Sequence, residues 1–191
     1  MPVDRPYHPL PPVEALDAFL ITYGLAAACA VMLVKAVGVP IPIPGDVILL
    51  ATAAWAAEGK VALWLAFVGL LLALVGGGIV QYLLARGPAR SVVFRLGRRL
   101  GLTPERTRAV AARVERGGPL AIALAVLTPG VRSAAIPGCG LAAVPMRLFV
   151  PGLILGSSAD LALHFGLGFA GAGLLASVLQ PSPLVILAGL L

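Results

Sequence analysis

Residues 61–85 form a run of 25 residues without a charged side chain. A helix needs about 20 apolar residues to cross the hydrocarbon core of a bilayer. Within that core only helices and closed barrels satisfy their own backbone N–H and C=O groups. The run therefore points away from a soluble fold, and composition agrees. Apolar residues make up 60% of the chain and charged ones 12%, against about 45–50% and about 25% in soluble domains. The 23 Gly and 17 Pro follow no G-X-Y period and lie among Leu, Ala and Val, which excludes collagen-like and disordered chains. The expectation is an all-α integral membrane protein. Residues 1–17 read as a polar N-terminal segment and 18–191 as a single membrane domain, because 191 residues leave no room for a bundle and a second folded module. The proline-broken, acidic N-terminal segment does not read as a cleaved presequence.

The net charge of +6 is concentrated in one place. Residues 86–116 hold nine Arg and two Glu, so this stretch alone carries +7. A basic connector between apolar segments is the positive-inside signal, so residues 86–118 are expected on the cytoplasmic side, beside lipid headgroups rather than nucleic acid. Inside it, Thr103, Pro104 and Glu105 spell an N-cap, a first-turn proline and a first-turn acid, predicting a surface helix that ends at Gly117 and Gly118. Cys29 and Cys139 sit in apolar stretches with no metal-type spacing, and read as buried thiols. No cofactor or metal is expected.

Other uncharged stretches are residues 18–34 and, His164 apart, residues 161–191, the latter broken by Pro181 and Pro183. Residues 47–57 and 119–127 are apolar but too short to span, and read as re-entrant pieces. Each adjoins a break. Pro40, Pro42 and Pro44 alternate before Gly45 and Asp46, removing backbone donors and forcing extended conformations. Pro129-Gly130 and then Pro137-Gly138 are expected to interrupt the second stretch twice. Broken backbone at membrane depth is tolerated only where protein or a wet cavity satisfies it. After each Pro-Gly a half-helix can start, with free N–H groups and a positive dipole end that attract anions. Two such ends in corresponding halves of a chain point to a transport site.

The spacing of Pro42-Ile43-Pro44-Gly45-Asp46, Tyr82 with Arg86, Gly118, Pro129-Gly130-Val131-Arg132, Pro137-Gly138, Gly140-Leu141-Ala142 and Met146 before Phe149 resembles the DedA family, also called the VTT or SNARE-associated family. The likeness covers about residues 30–171. It implies an inverted repeat of two re-entrant helical hairpins plus spanning helices. It also implies movement of polyprenyl-phosphate carrier lipids or phospholipids, in bacteria often driven by the proton motive force, and so a place in the bacterial inner membrane. The chain departs from the family pattern where acids or Arg are usual: Ala36 and Val37 are apolar with Lys35 the nearest charge, Gly78 replaces an acid, and Val126 replaces an Arg.

The candidate site residues follow. Pro44, Gly45, Pro129 and Gly130 would present backbone to the substrate. Arg132 offers a fork of donors suited to phosphate oxygens; its alternatives are a static ion pair with Asp46 or snorkelling to the interface. Asp46 reads as a proton acceptor or as an N-cap. Asp160 and His164, at i and i+4 on one helix face, read as a proton relay or a static hydrogen-bonded pair. A Ser157/Asp160/His164 hydrolase has no G-x-S-x-G turn to support it, so the chain is not expected to be an enzyme. The expected partners are protons and an anionic, phosphate-bearing membrane lipid, with the glycine-rich helix faces also compatible with an oligomer. A non-transporting membrane assembly factor is the rival reading. Trp55, Trp64 and Tyr82 are expected near interfaces or in packing contacts.

Overall fold

A computed structural model describes residues 12–99, 103–128 and 131–179. Among them the chain forms seven helices and no strand: α1 Pro12–Val37, α2 Gly45–Ala57, α3 Leu63–Arg86, α4 Arg90–Arg99, α5 Pro104–Leu127, α6 Arg132–Leu141 and α7 Met146–Leu179. Two are long and apolar enough to cross a membrane, Leu63–Arg86 and Met146–Gly171. The first is the uncharged run of residues 61–85. The second replaces the expected span at 161–191: the helix begins at Met146 and continues through Pro151, and residues 180–191 lie outside the described part.

The breaks are built from local chemistry. α1 ends in a Schellman turn, with Gly38 N–H donating to Lys35 O at 2.9 Å and Val39 N–H to Val34 O at 3.3 Å. Gly38 takes φ +107°, which a side chain would resist. The prolines then hold the chain extended until Pro44 caps α2 with ψ 131°. Gly118, at φ 57° and ψ −147°, divides α5, so the connector helix stops at 117 as its sequence predicts. Pro119 opens the next helical piece, where its missing N–H costs nothing. The expected second interruption does not occur, because α6 runs straight through Pro137. Pro137 and its neighbours 135–141 are all buried, so tertiary packing outweighs one missing helical hydrogen bond.

Glycines set how closely the long helices approach. Ala36 Cβ and Leu33 O lie 2.5 and 2.7 Å from where a Cβ on Gly77 would stand, and Cys29 Sγ lies 3.1 Å from that point on Gly69. Successive residues of α1 thus meet successive residues of α3, so the two run parallel. Likewise Gly152 meets Pro119 and Ile122, and Gly156 meets Ala123 and Val126, laying the end of α5 parallel to α7. α2 folds back along α1, since Gly24 faces Trp55 and Met32 faces Gly45.

The two short helices cross between halves. Leu49, Ala53 and Ala56 of α2 share a core with α1, α3 and Leu161 and Phe165 of α7. Ile136 and Cys139 of α6 share the other core with α5, α7 and Tyr82 of α3. Each core therefore borrows a long helix from the other half. Phe67 meets Phe165 edge-on at 5.7 Å in the first core, and Tyr82 stacks on Phe149 at 4.3 Å in the second. Outward, α3 and α7 show Trp64, Leu72, Leu163 and Leu167, all more than half exposed. An apolar surface running along whole helices is what a bilayer covers.

Candidate functional site

A cavity of about 460 Å³ opens where the end of α1, the proline loop and the starts of α2 and α6 converge on α3 and α7. Gly45, Asp46, Lys35, Gln81, Arg132 and Asp160 line it. Both half-helices begin here, α2 at Gly45 directly after Pro44 and α6 at Arg132. Pro129 and Gly130 fall outside the described residues.

Four charged or titratable side chains form a line across this space. Arg132 Nη1 donates to Asp160 Oδ2 at 2.5 Å, with the arginine one-quarter and the aspartate 13% exposed. His164, one turn on and equally buried, places Nδ1 2.8 Å from the backbone oxygen of Asp160 and 3.4 Å from Asp160 Oδ1. Its Nε2 stands 3.6 Å from Asp46 Oδ1. The short Nδ1 contact to a carbonyl, which can only accept, assigns a hydrogen to Nδ1. In the neutral ring Nε2 then carries only a lone pair towards the Asp46 carboxylate.

This geometry corrects several expectations. Arg132 pairs with Asp160 rather than with Asp46. Asp160 and His164, set apart from Arg132 in sequence, complete the same cluster. Asp46 does not cap its helix: it is the second residue of α2, and the α2 N-terminus has no side-chain cap hydrogen bond. Nor is its carboxylate buried in apolar packing. It is 79% exposed, facing the cavity mouth. Ser157 is fully buried, and among the described residues its Oγ has no hydrogen-bond partner. Cys139 is buried and Cys29 partly so, both as free thiols. Tyr82 is fully buried in a core, while Trp64 is 68% exposed.

Two cavity residues were not singled out from the sequence. Lys35 donates from Nζ to Ile43 O at 2.6 Å and to Ile41 O at 3.4 Å, tying α1 to the proline loop. Gln81 lies against Gly38 at the end of that loop. Each had a signal available: Lys35 is the sole charge in residues 18–45, and Gln81 the sole amide in residues 61–85.

A second polar cluster braces the cavity from behind. Tyr82 Oη donates to Val144 O at 2.5 Å, and Arg86 donates to both the Tyr82 hydroxyl and Val144 O. This fastens the turn between α6 and α7 to α3, and with it the α6 helix that carries Arg132.

Residues 43–170 match the family model of the VTT domain. The chain is 23% identical over 150 residues to the uncharacterized membrane protein YbfM of Bacillus subtilis, an alignment covering 76% of this chain and 88% of YbfM. No solved structure matches it. With two thirds of its length inside the VTT domain, its cavity at the two helix starts and its apolar helices α3 and α7, the chain belongs to the VTT-domain, or DedA, family of membrane proteins.

Proposed function

We propose that this protein moves a phosphate-bearing lipid, a polyprenyl phosphate or a phospholipid, between the leaflets of the bacterial inner membrane, coupled to protons and without chemical change. The observation that carries this reading is Arg132, a guanidinium on the wall of a cavity that the starts of α2 and α6 also line. Guanidinium binds phosphate oxygens in pairs, and helix N-termini add N–H donors and a positive dipole end. A volume of about 460 Å³ suits a headgroup, leaving the acyl or prenyl chains in the bilayer.

In this reading α1–α2–α3 and α5–α6–α7 are inverted repeats, α2 and α6 their re-entrant arms, and the packing of each arm on a long helix of the other half the joint on which the halves rock. Arg132 holds the phosphate, Gly45 approaches it through backbone, and Asp46, His164 and Asp160 carry protons. The connector at 86–118 faces the cytoplasm. The closed Arg132–Asp160 pair favours one rival, a static assembly factor whose charges only hold helices together.

Reconstitution separates them. Liposomes containing the protein and a fluorescent phospholipid or polyprenyl phosphate should exchange the probe between leaflets, faster under a pH gradient. Arg132→Lys keeps the charge but loses the paired fork, and should slow exchange about tenfold or more, the scale of a lost charge-assisted hydrogen bond. Asp46→Asn should retain exchange but lose the response to the gradient. Exchange no faster than in protein-free liposomes would leave the assembly role.

A further inference from the structure

We propose that Asp160 is an internal stand-in for the ligand's phosphate, so that a phosphate reaches Arg132 only as the Asp160–His164 pair takes up one proton. The inference rests on the lipid-phosphate reading above and gives it a specific proton linkage.

The proton count follows from the charges in and beside the cavity. Arg132 and Lys35 are cationic, Asp46 and Asp160 anionic, and His164 joins the two carboxylates. Among the described residues α3 adds only neutral Gln81 here, its Arg86 being tied to Tyr82 and Val144, and residues 119–127 of α5 carry no charge. Two cations thus balance two carboxylates. A phosphate monoanion would leave the cluster one charge negative around an Asp160–His164 pair that is itself only 13% exposed, a state that burial disfavours. One proton restores the balance.

The geometry supplies both the exchange and the address of the proton. Asp160 Oδ2 already occupies the guanidinium position that a phosphate oxygen would take, at 2.5 Å from Arg132 Nη1. Two anions cannot share that fork without mutual repulsion. Once Arg132 turns to the phosphate, Asp160 loses its cation, and His164 stands 3.4 Å from its carboxylate. The His164 lone pair at Nε2 faces Asp46 Oδ1 at 3.6 Å. A proton from the cavity water added to Nε2 makes the ring a cation between the two carboxylates. In balance, the Arg132–Asp160 hydrogen bond breaks, Arg132–phosphate bonds form, and one proton moves from water to the coupled pair. The reverse sequence expels the phosphate. Lys35 stays with the loop carbonyls.

The test uses dihexyl phosphate, a diester that stays a monoanion, so that any proton taken up belongs to the protein. Calorimetric titration of the detergent-purified full chain in two buffers of different ionisation enthalpy counts protons per ligand bound. The expected result is uptake approaching one proton, with affinity falling by up to about tenfold per unit as pH rises. Asp160→Asn removes the competitor and one negative charge. It should bind more tightly than wild type at neutral pH, with no proton uptake. His164→Gln should bind with the pH window of uptake moved down, since the ring that receives the proton is gone.

Wild-type binding without proton uptake would overturn the proposal, and this measurement stands even if a variant fails to fold. So would weaker binding in a folded Asp160→Asn, since a residue that merely positions Arg132 gives that result, or an unchanged window in His164→Gln. No binding of dihexyl phosphate at any pH, or equal binding of inorganic phosphate, would instead defeat the lipid-phosphate reading beneath it.

Discussion

Tyr82 shows how much one buried polar side chain holds in place. Its ring stacks on Phe149 and its hydroxyl, fully buried, donates to the Val144 carbonyl. In a protein interior an unpaired carbonyl is costly, and removing one partner of such a bond costs about 1–3 kcal/mol. Tyr82→Phe keeps the ring and removes the hydroxyl, which donates to Val144 O and accepts from Arg86. Because Arg86 also reaches Val144 O at 3.4 Å, the loss should fall at the lower end, about 1 kcal/mol. Thermal unfolding of the detergent-solubilised variant checks this. No change would mean that Arg86 takes over the carbonyl completely. At the same scale Lys35 is a structural tether as well as a cavity cation, since its two carbonyl partners belong to the proline loop.

Among elements, α6 is where local preference and tertiary demand diverge most. It carries a proline in its interior and ends in a Schellman turn, with Ala143 N–H donating to Gly140 O at 3.1 Å and Val144 N–H to Cys139 O at 3.0 Å. The residue in the left-handed position is Ala143, at φ 55°, where glycine is usual. An L side chain there costs about 1–2 kcal/mol, partly offset by the greater unfolded-state freedom of glycine. Ala143→Gly should therefore stabilise the protein by about 0.5–1 kcal/mol, raising its thermal midpoint in detergent without altering lipid exchange. A lower midpoint would show that the Ala143 methyl packs against something worth more than the strain. The turn matters to the site because it sets Val144 beneath Tyr82, and so fixes the far end of the helix that begins with Arg132.

At the scale of the whole molecule, each core borrows a long helix from the other half, α7 beside α2 and α3 beside α6, which makes the cavity a property of both halves together. Neither half holds it alone: Lys35 and Asp46 come from the first, Arg132 and Asp160 from the second. The orientation of this arrangement in the membrane belongs to the connector, whose nine arginines lie between the halves. With Cys29 and Cys139 replaced, a cysteine at Ala111 should resist an impermeant thiol reagent in intact cells and react after permeabilisation. Labelling in intact cells would invert the topology and place the basic connector outside.

Chain chemistry alone determined the class, the spanning helix α3, the end of the connector helix at Gly118 and the two helix starts after proline breaks. These depend on neighbours in sequence: hydropathy over a window, the φ restriction of proline and the permissiveness of glycine. The same logic missed the continuity of α6 through Pro137 and the start of α7 at Met146, because the burial that overrides a local breaker is a sum of distant contacts. It also found Asp46, Arg132 and the Asp160–His164 pair, but offered Asp46 as the partner of Arg132 and left the joining of all four open. Residues 86 and more positions apart in sequence, such as Asp46 and Arg132, have no local signal that joins them. Only the parallel packing of helices through glycine contacts and the crossing of α2 onto α7 bring them to one cavity, since ion-pair geometry is decided by where rigid helices can approach.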